Sequence, residues 1–349
     1  MGILGLFFLS SGLYMGWSLG ANDAANIFGT AVGTRMIKFR TAAFISALFI
    51  TLGAVISGAG AAKGLGALGA VDALAGSFVV SAAAATTVLW MTRAGLPVST
   101  TQAIVGAIVG WNLFSGNPTD QAALTRIVGT WIYGPILGAG IAFILFFIVK
   151  FILEKLDIHL IRMDKYTRVA LVLAGIFGSY SLGANNMANV VGVFVPASPF
   201  VDLQILGITV TGIQQLFLMG GLATAVGVAT YSKKVMMTIG NNLYKLSPVT
   251  AIVVIVSTAM VLFLFASEGL KLWMESMGLP SFPLVPVSQS QAAVGSIIGI
   301  GLAKGGKNLN LKLLRNIVLG WIATPTSAAV LSYIALFFMQ NVFLQQVHM

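Results

Sequence analysis

This chain is expected to fold as an all-α polytopic membrane protein, on three grounds. It is too apolar to cover a soluble surface: 58% of its 349 residues are hydrophobic and 8% are charged, against about a quarter charged in a soluble domain. It contains repeated apolar stretches of about twenty residues, among them 130–149, 251–266 with its flanks and 317–338, each long enough to cross a hydrocarbon core. It is also a duplication, because three motifs of the first half recur in the same order in the second. Together these predict two inverted-topology repeats of about five spans each, with broken or re-entrant helices at the midplane, and about 10–12 membrane segments in all.

Charge and composition narrow the class further. The formal net charge is +10, but the basic residues sit in short clusters between apolar runs, as cytoplasmic loops do under the positive-inside bias. Nucleic acid is therefore not an expected partner. The absence of cysteine excludes a disulfide framework, a thiolate metal site and a cysteine nucleophile. Forty glycines suit helices that approach closely in a bilayer. The apolar run over 2–9 lacks the positive region of a signal peptide and reads as a retained first span.

The repeat is explicit in the residues. Trp17-Ser18-Leu19-Gly20-Ala21-Asn22-Asp23-Ala24-Ala25-Asn26 recurs as Tyr180-Ser181-Leu182-Gly183-Ala184-Asn185-Asn186-Met187-Ala188-Asn189. Pro97-Val98-Ser99-Thr100-Thr101-Gln102 matches Pro286-Val287-Ser288-Gln289-Ser290-Gln291. Each runs on into glycines four residues apart, Gly106 and Gly110 against Gly295 and Gly299. Arg126, Trp131 and Pro135 match Arg315, Trp321 and Pro325.

Basic loops at 35–40, near Arg93, at 150–168, at 233–245 and at 304–315 all fall on the cytoplasmic side if both termini lie outside. The first half, 1–149, then crosses at about 3–33, 41–62, 72–92, 97–118 and 125–149. The second half, 169–349, crosses at about 169–195, 203–231, 248–270, 286–303 and 316–341. An odd number of crossings inverts one half relative to the other. The 150–168 segment, with five basic and three acidic residues, is the cytoplasmic linker. The segments at Pro97 and Pro286 either span or re-enter.

Polar side chains at membrane depth are expensive and need a reason. Asn22 and Asn26 are four residues apart, on one helical face, and Asp23 is the clearest carboxylate inside a span. Glycines around them permit an unwound backbone, whose free carbonyls suit a cation and whose free amides suit an anion. Ser99, Thr100, Thr101 and Gln102 follow Pro97 at a helix start, where hydroxyls cap free amides. Hydroxyls, amide donors and a positive dipole end together suit a tetrahedral oxyanion. Ser288, Gln289, Ser290 and Gln291 offer similar groups from the other half. Arg126 and Arg315 are expected to orient their spans, and Trp131 and Trp321 to pack or anchor at the interface. His159 and His348 have no surrounding constellation that would make them catalytic. No metal-ligand cluster, phosphate-cradling lysine motif or nucleotide domain is visible.

At the Gly20–Asn26 and Pro97–Gly110 motifs, and in their second copies, the chain resembles the inorganic phosphate transporter (PiT) family, also called the phosphate/sulfate permease family. The resemblance covers essentially the whole chain. It implies an inverted-repeat helical fold that carries phosphate with sodium or protons. Carried over, Asn22, Asp23 and Asn26 with Asn185, Asn186 and Asn189 would form the central ion and substrate site. Asp23, Asn26, Asn186 and Asn189 would hold sodium, and Asn22 and Asn185 would face phosphate. Ser99, Thr100, Thr101 and Gln102 with Ser288, Gln289, Ser290 and Gln291 would contact the oxyanion. Two departures stand out. The family pattern usually has a second aspartate where this chain has Asn186, and often a histidine where it has Gln102 and Gln291.

Phosphate near neutral pH still donates hydrogen bonds and sulfate does not, so a buried acceptor such as Asp23 favours phosphate if it touches the substrate. A carboxylate with amide and carbonyl oxygens suits a hard cation such as sodium, although an isolated buried carboxylate could instead carry a proton. The expected function is therefore sodium-driven symport of inorganic phosphate in the cell membrane, with no enzymatic activity and no cofactor beyond the coupling ions. A proton-coupled phosphate or sulfate permease is the alternative, and an anion channel a remoter one. The implied partners are phosphate, sodium and the bilayer, with homodimerisation left open.

Overall fold

The structure is a computed structural model that describes residues 3–69, 71–94, 98–156, 159–205, 207–239, 246–306 and 309–349. The first half builds α1 (Ile3–Asn22), α2 (Ala24–Gly33), α3 (Phe39–Ser57), α4 (Ala59–Gly66), α5 (Leu74–Arg93), α6 (Thr100–Ser115) and α7 (Gln121–Lys155). The second builds α8 (Leu160–Val191), α9 (Gly212–Thr230), α10 (Ser232–Ile239), α11 (Pro248–Leu264), α12 (Glu268–Ser276), α13 (Gln289–Ala303) and α14 (Leu311–Asn341). The expected spans are found as helices, with those at 3–33, 41–62 and 248–270 each divided into two and one further difference. The stretch expected at 203–231 opens as a small antiparallel hairpin that pairs Leu203–Ile205 with Ile208–Val210, and becomes helical only at Gly212.

Helix ends follow the local chemistry. Asp120 and Asn310 cap α7 and α14 by accepting from the amides of Ala123 and Leu313. Thr211 and Gln214 form a reciprocal capping box on α9, and Ser247 and Thr250 form another on α11, with Pro248 in its first turn. These side chains satisfy amides that helix geometry leaves unpaired. Gly116 ends α6 at φ +75°, a left-handed conformation that glycine adopts without a steric penalty.

Six of the described helices are long and apolar enough to cross a membrane, namely α3, α5, α7, α8, α9 and α14. The pair α11 and α12, bent by 71°, makes a seventh if it counts as one span. By length and composition this is fewer than the 10–12 segments expected. Two of the expected segments that fall short are α6 and α13, which have 16 and 15 residues. At 1.5 Å per residue each is about 24 Å or less, short of a ~30 Å hydrocarbon core. Their lead-in residues Val98, Val285 and Val287 are buried, so both helices start inside the protein rather than at its surface. Pro97 lies outside the described residues. The 150–168 segment is mostly helix ends, since α7 continues to Lys155 and α8 starts at Leu160.

Burial separates an inner from an outer layer. In their most apolar windows α5 is 61% buried and α7 only 11%. Along α7 the large side chains Ile132, Ile136, Ile144 and Phe151 are exposed, as a lipid-facing helix requires. By contrast, α6 and α13 are wrapped almost completely by neighbours.

The two halves interlock. A Cβ on Gly106 would collide with the Pro325 carbonyl, and one on Gly295 with the Pro135 carbonyl. Gly110 meets Ala329 in the same way, and Gly299 meets Ala139. So α6 packs on α14 of the other half, and α13 packs on α7. The same exchange recurs nearer the first motif, where Gly20 lies against the Thr224 carbonyl and Gly183 against that of Ile50. Tyr180 bonds Ser57 through their hydroxyls at 2.7 Å, and its repeat counterpart Trp17 donates to the Thr230 hydroxyl at 3.0 Å. Small residues at these crossings let backbones touch, which drives helix association in lipid.

The C-terminal residues close one end of the core. Trp111, fully buried, donates its indole N–H to the Val347 carbonyl at 2.9 Å, and the Met349 amide donates to Asp72 at 3.0 Å. Trp111→Phe keeps most of the packing but leaves that carbonyl without its donor. It should lower stability in detergent by about 1–2 kcal/mol, read as a fall in the thermal unfolding midpoint with the secondary structure unchanged.

Candidate functional site

The motif residues of both halves meet around Asp23. The helix breaks there: α1 ends at Asn22 and α2 starts at Ala24, with the Asn26 amide bonded to the Asp23 carbonyl at 3.0 Å. The second copy does not break, since α8 runs unbroken through Asn185, Asn186 and Asn189 to Val191. At Asp23 itself the backbone keeps helical dihedrals (φ −81°, ψ −35°) and its amide still bonds the Leu19 carbonyl at 2.8 Å, so the first motif makes a one-residue turn and the expected unwound backbone is found in neither copy.

Asp23 is 1% exposed, and no other ionisable side chain is buried among the described residues. Its carboxylate accepts from Asn22 Nδ2 at 2.8 Å, from Thr100 Oγ1 at 2.9 Å and, at the long limit of 3.5 Å, from Asn186 Nδ2. One side chain therefore gathers α1, α6 and α8. Alongside, Asn189 Nδ2 donates to Thr101 Oγ1 at 2.9 Å. Consecutive hydroxyls of the Ser-Thr-Thr run thus engage the first motif and its copy at once.

The starts of α6 and α13 abut. The Val98 carbonyl, two residues before α6, accepts from Asn22 Nδ2 at 3.1 Å and from Ser290 Oγ at 2.9 Å. Ser290 Oγ also lies 3.2 Å from Ser288 Oγ. Ser99 and Ser288 act as matched caps, accepting from the amides of Gln102 at 3.1 Å and Gln291 at 3.2 Å. Two positive helix ends therefore face a common region, a suitable environment for an anion.

Several buried oxygens lack partners. Among the described residues nothing bonds Asn186 Oδ1, Asn189 Oδ1, Gln102 Oε1, Gln289 Oε1 or Gln291 Oε1. An unpaired buried acceptor costs about 1–3 kcal/mol, and all five of these belong to the paired motifs, those of Asn186 and Asn189 on side chains that also reach Asp23 and Thr101. Amide carbonyl oxygens with one carboxylate form a hard, oxygen-only donor set.

Two sequence-derived assignments look different in place. Asn185 is saturated by backbone of α11 and of the extended lead-in to α13: its Nδ2 donates to the Leu262 carbonyl of α11 and to the Val285 carbonyl, each at 3.2 Å, and its Oδ1 accepts from the Val287 amide at 2.6 Å. In this conformation it holds backbone. Asn22 does the same in part for Val98, the repeat counterpart of Val287. Asn26 is only half-buried, and its side-chain Nδ2 is unpaired, so it joins the cluster only through its backbone amide. The other predicted residues are all within 3% of complete burial, so the site is occluded.

Sequence reasoning missed four residues in or beside the cluster. Thr92 donates to Asn22 Oδ1 at 3.3 Å, and nothing in its context marks it. The Val98 carbonyl is main chain and carries no side-chain signal. Ser18 and Ser181 are buried with unbonded hydroxyls, and their equivalent places in the two motif copies could have flagged them.

Comparison with known proteins places the whole chain. A protein of Thermococcus kodakarensis with the provisional name phosphate permease is 27% identical, over 92% of this chain and 94% of its own length. A similarly named Methanocaldococcus jannaschii protein is 26% identical, over 92% and 93%. A solved structure described as the sodium-dependent phosphate transporter superposes with a TM-score of 0.78 at 25% identity, covering 98% of this chain and all of the other. The pattern of the phosphate transporter family matches residues 19–332, through both copies of the motif, and the chain belongs to that family.

Proposed function

We propose that the protein is a symporter that carries inorganic phosphate with sodium by alternating access about the Asp23 site. The observation that carries the coupling is electrostatic. The only buried charge among the described residues is a carboxylate, and no buried lysine or arginine faces it. Phosphate entering there adds negative charge to negative charge in a medium that screens poorly. Neutral hydroxyls and amides can orient the oxyanion, but only cations that enter with it can offset its charge. Obligate co-transport with a cation follows.

Sodium is favoured over a proton by the unpaired carboxamide oxygens of Asn186 and Asn189. A proton on Asp23 would leave both unsatisfied, whereas a hard cation takes several oxygen ligands. The similar solved transporter is named for its sodium dependence. In this reading Asp23, Asn186 and Asn189 hold the cation, with Asn26 at the edge. Thr100, Thr101, Gln102, Ser288, Gln289, Ser290 and Gln291 orient phosphate from the two helix starts, while Asn22 and Asn185 brace those starts. Phosphate is favoured over sulfate because it can donate to the unpaired acceptors, which sulfate would leave bare.

The halves 1–149 and 169–349 form inverted repeats joined through 150–168, with both termini outside the cell membrane. The exchanged contacts, α6 on α14 and α13 on α7, are what a two-fold axis between the repeats would generate. As a member of a transporter family with several membrane-crossing helices, the chain is a multi-pass membrane transporter and not an enzyme.

The test is radiolabelled phosphate uptake into proteoliposomes under an imposed sodium gradient, repeated with a proton gradient and with excess sulfate. Uptake should require sodium, saturate, and persist when sulfate is in excess. Uptake driven by protons alone, or blocked by sulfate, would overturn the sodium–phosphate assignment.

A further inference from the structure

The two motif copies hold the starts of α6 and α13 unequally. Asn185 is bonded to three main-chain groups, the carbonyls of Leu262 and Val285 and the amide of Val287. Around it the Val285 amide donates to the Phe265 carbonyl at 3.2 Å, and Gly60 and Gly64 of α4 lie against the carbonyls of Ala266 and Leu284. This brace is buried throughout, with Asn185, Val285 and Val287 all 3% exposed or less. Asn22, its repeat counterpart, makes one main-chain bond among the described residues, from Nδ2 to the Val98 carbonyl at 3.1 Å, and the same Nδ2 also serves Asp23. Where Asn185 Oδ1 receives the Val287 amide, Asn22 Oδ1 receives the Thr92 hydroxyl of α5 at 3.3 Å. Thr92 is half-buried in the last turn of α5, and the neighbouring Arg93 and Ala94 are exposed.

From this contrast we propose that Thr92 is a positioning residue of the transport site: its hydroxyl holds Asn22, Asn22 holds the Val98 carbonyl and the Asp23 carboxylate, and this clasp is the one that releases the start of α6 when the site opens. The proposal rests on the Asp23 cluster being the transport site. Opening at Asn185 would strip three buried main-chain groups of a partner, which is costly in a place that water does not reach. At Thr92 the bond joins two side chains next to an exposed helix end, where water can take the place of either partner. With its Oδ1 held by Thr92, the Asn22 amide group stays turned toward its two acceptors. The Val98 carbonyl is also where the two helix starts meet, because Ser290 Oγ donates to it at 2.9 Å. Letting it go parts α6 from α13.

The chain contains no cysteine, so Val98→Cys places a single thiol at the buried start of α6 and Val287→Cys one at the buried start of α13. Each is prepared alone and with Thr92→Val, which keeps the β-branched shape and removes the donor, or with Thr92→Ser, which keeps the hydroxyl. The purified proteins are labelled in detergent with a small cationic methanethiosulfonate. Thr92→Val should speed labelling at Val98→Cys by about three- to tenfold, the shift that one net hydrogen bond gives an opening equilibrium. Thr92→Ser should leave that rate at its starting value, and Val287→Cys should label at the same rate in all three backgrounds. In the chain without cysteine, Thr92→Val should raise the sodium concentration for half-maximal phosphate uptake by a similar factor, and Thr92→Ser should not. Unchanged labelling of Val98→Cys with Thr92→Val would overturn the proposal. Equal acceleration at Val287→Cys would overturn it too, by making Thr92 a general packing residue, and so would a Thr92→Ser variant that behaves like Thr92→Val. A parent without sodium-driven uptake refutes the transport reading by itself, while the labelling still decides the clasp.

Discussion

Asp23→Asn should abolish sodium-driven phosphate uptake while leaving a folded protein. The substitution keeps shape and removes charge. Asn22 Nδ2 can still donate to the remaining oxygen, and the Thr100 hydroxyl, which now donates at 2.9 Å, can rotate to accept from the new amide. What disappears is the carboxylate proposed to offset a cation, the only ionisable side chain buried among the described residues. A hydrogen bond or contact to a charged group is worth about 1.5–3 kcal/mol, and the carboxylate makes several at once. Uptake should therefore fall by about 100-fold or more, since each 1.4 kcal/mol is tenfold. The check is the initial rate of phosphate uptake with and without a sodium gradient, beside the unfolding midpoint. Full sodium-driven uptake by this variant would remove Asp23 from the coupling mechanism. The companion Asn186→Asp adds a carboxylate at the repeat-equivalent position and should steepen the sodium dependence of uptake. An unchanged sodium dependence would mean that the cation does not touch that side chain.

Gly295→Val and Gly106→Val should be among the most damaging substitutions away from the polar site. In each, the new Cβ points at a backbone carbonyl, that of Pro135 or Pro325, and no flexible side chain can give way. The helices have to separate along the whole seam, which opens Gly299–Ala139 or Gly110–Ala329 as well. Overpacking costs typically 1–3 kcal/mol and sometimes more, so each variant should lose about 3 kcal/mol. The expected readout is a markedly lower unfolding midpoint and a smaller monodisperse fraction on size exclusion. Gly140→Ala is the matched control on α7, because nothing lies within 4 Å of the Cβ it would add. Its midpoint should be unchanged or slightly raised, since alanine is the better helix former. Equal losses at Gly140 and Gly295 would mean that the seam is not closed by backbone contact.

The sequence by itself determined the solvent, the duplication and the chemistry. Apolar runs and scarce charge require a bilayer because those properties are local and additive along the chain. The cost of burying amides and a carboxylate at membrane depth singles out Asn22, Asp23, Asn186 and Asn189 without any knowledge of contacts. Tertiary structure alone decided how the two halves are joined. That α6 packs on α14 and α13 on α7, each through a glycine against a carbonyl from the other half, depends on contacts about two hundred residues apart. Periodicity cannot report such contacts. Equivalent motifs also acquired unequal backbones: the chain breaks at Asp23, while its counterpart Asn186 sits in a continuous helix. The roles of the asparagines were decided in the same way. Asn185 spends its hydrogen-bonding groups on the backbone before α13, and Asn22 meets the Val98 carbonyl that Ser290 also uses. A main-chain carbonyl looks alike at every residue, so its capture by a distant side chain leaves no trace in the order of the amino acids.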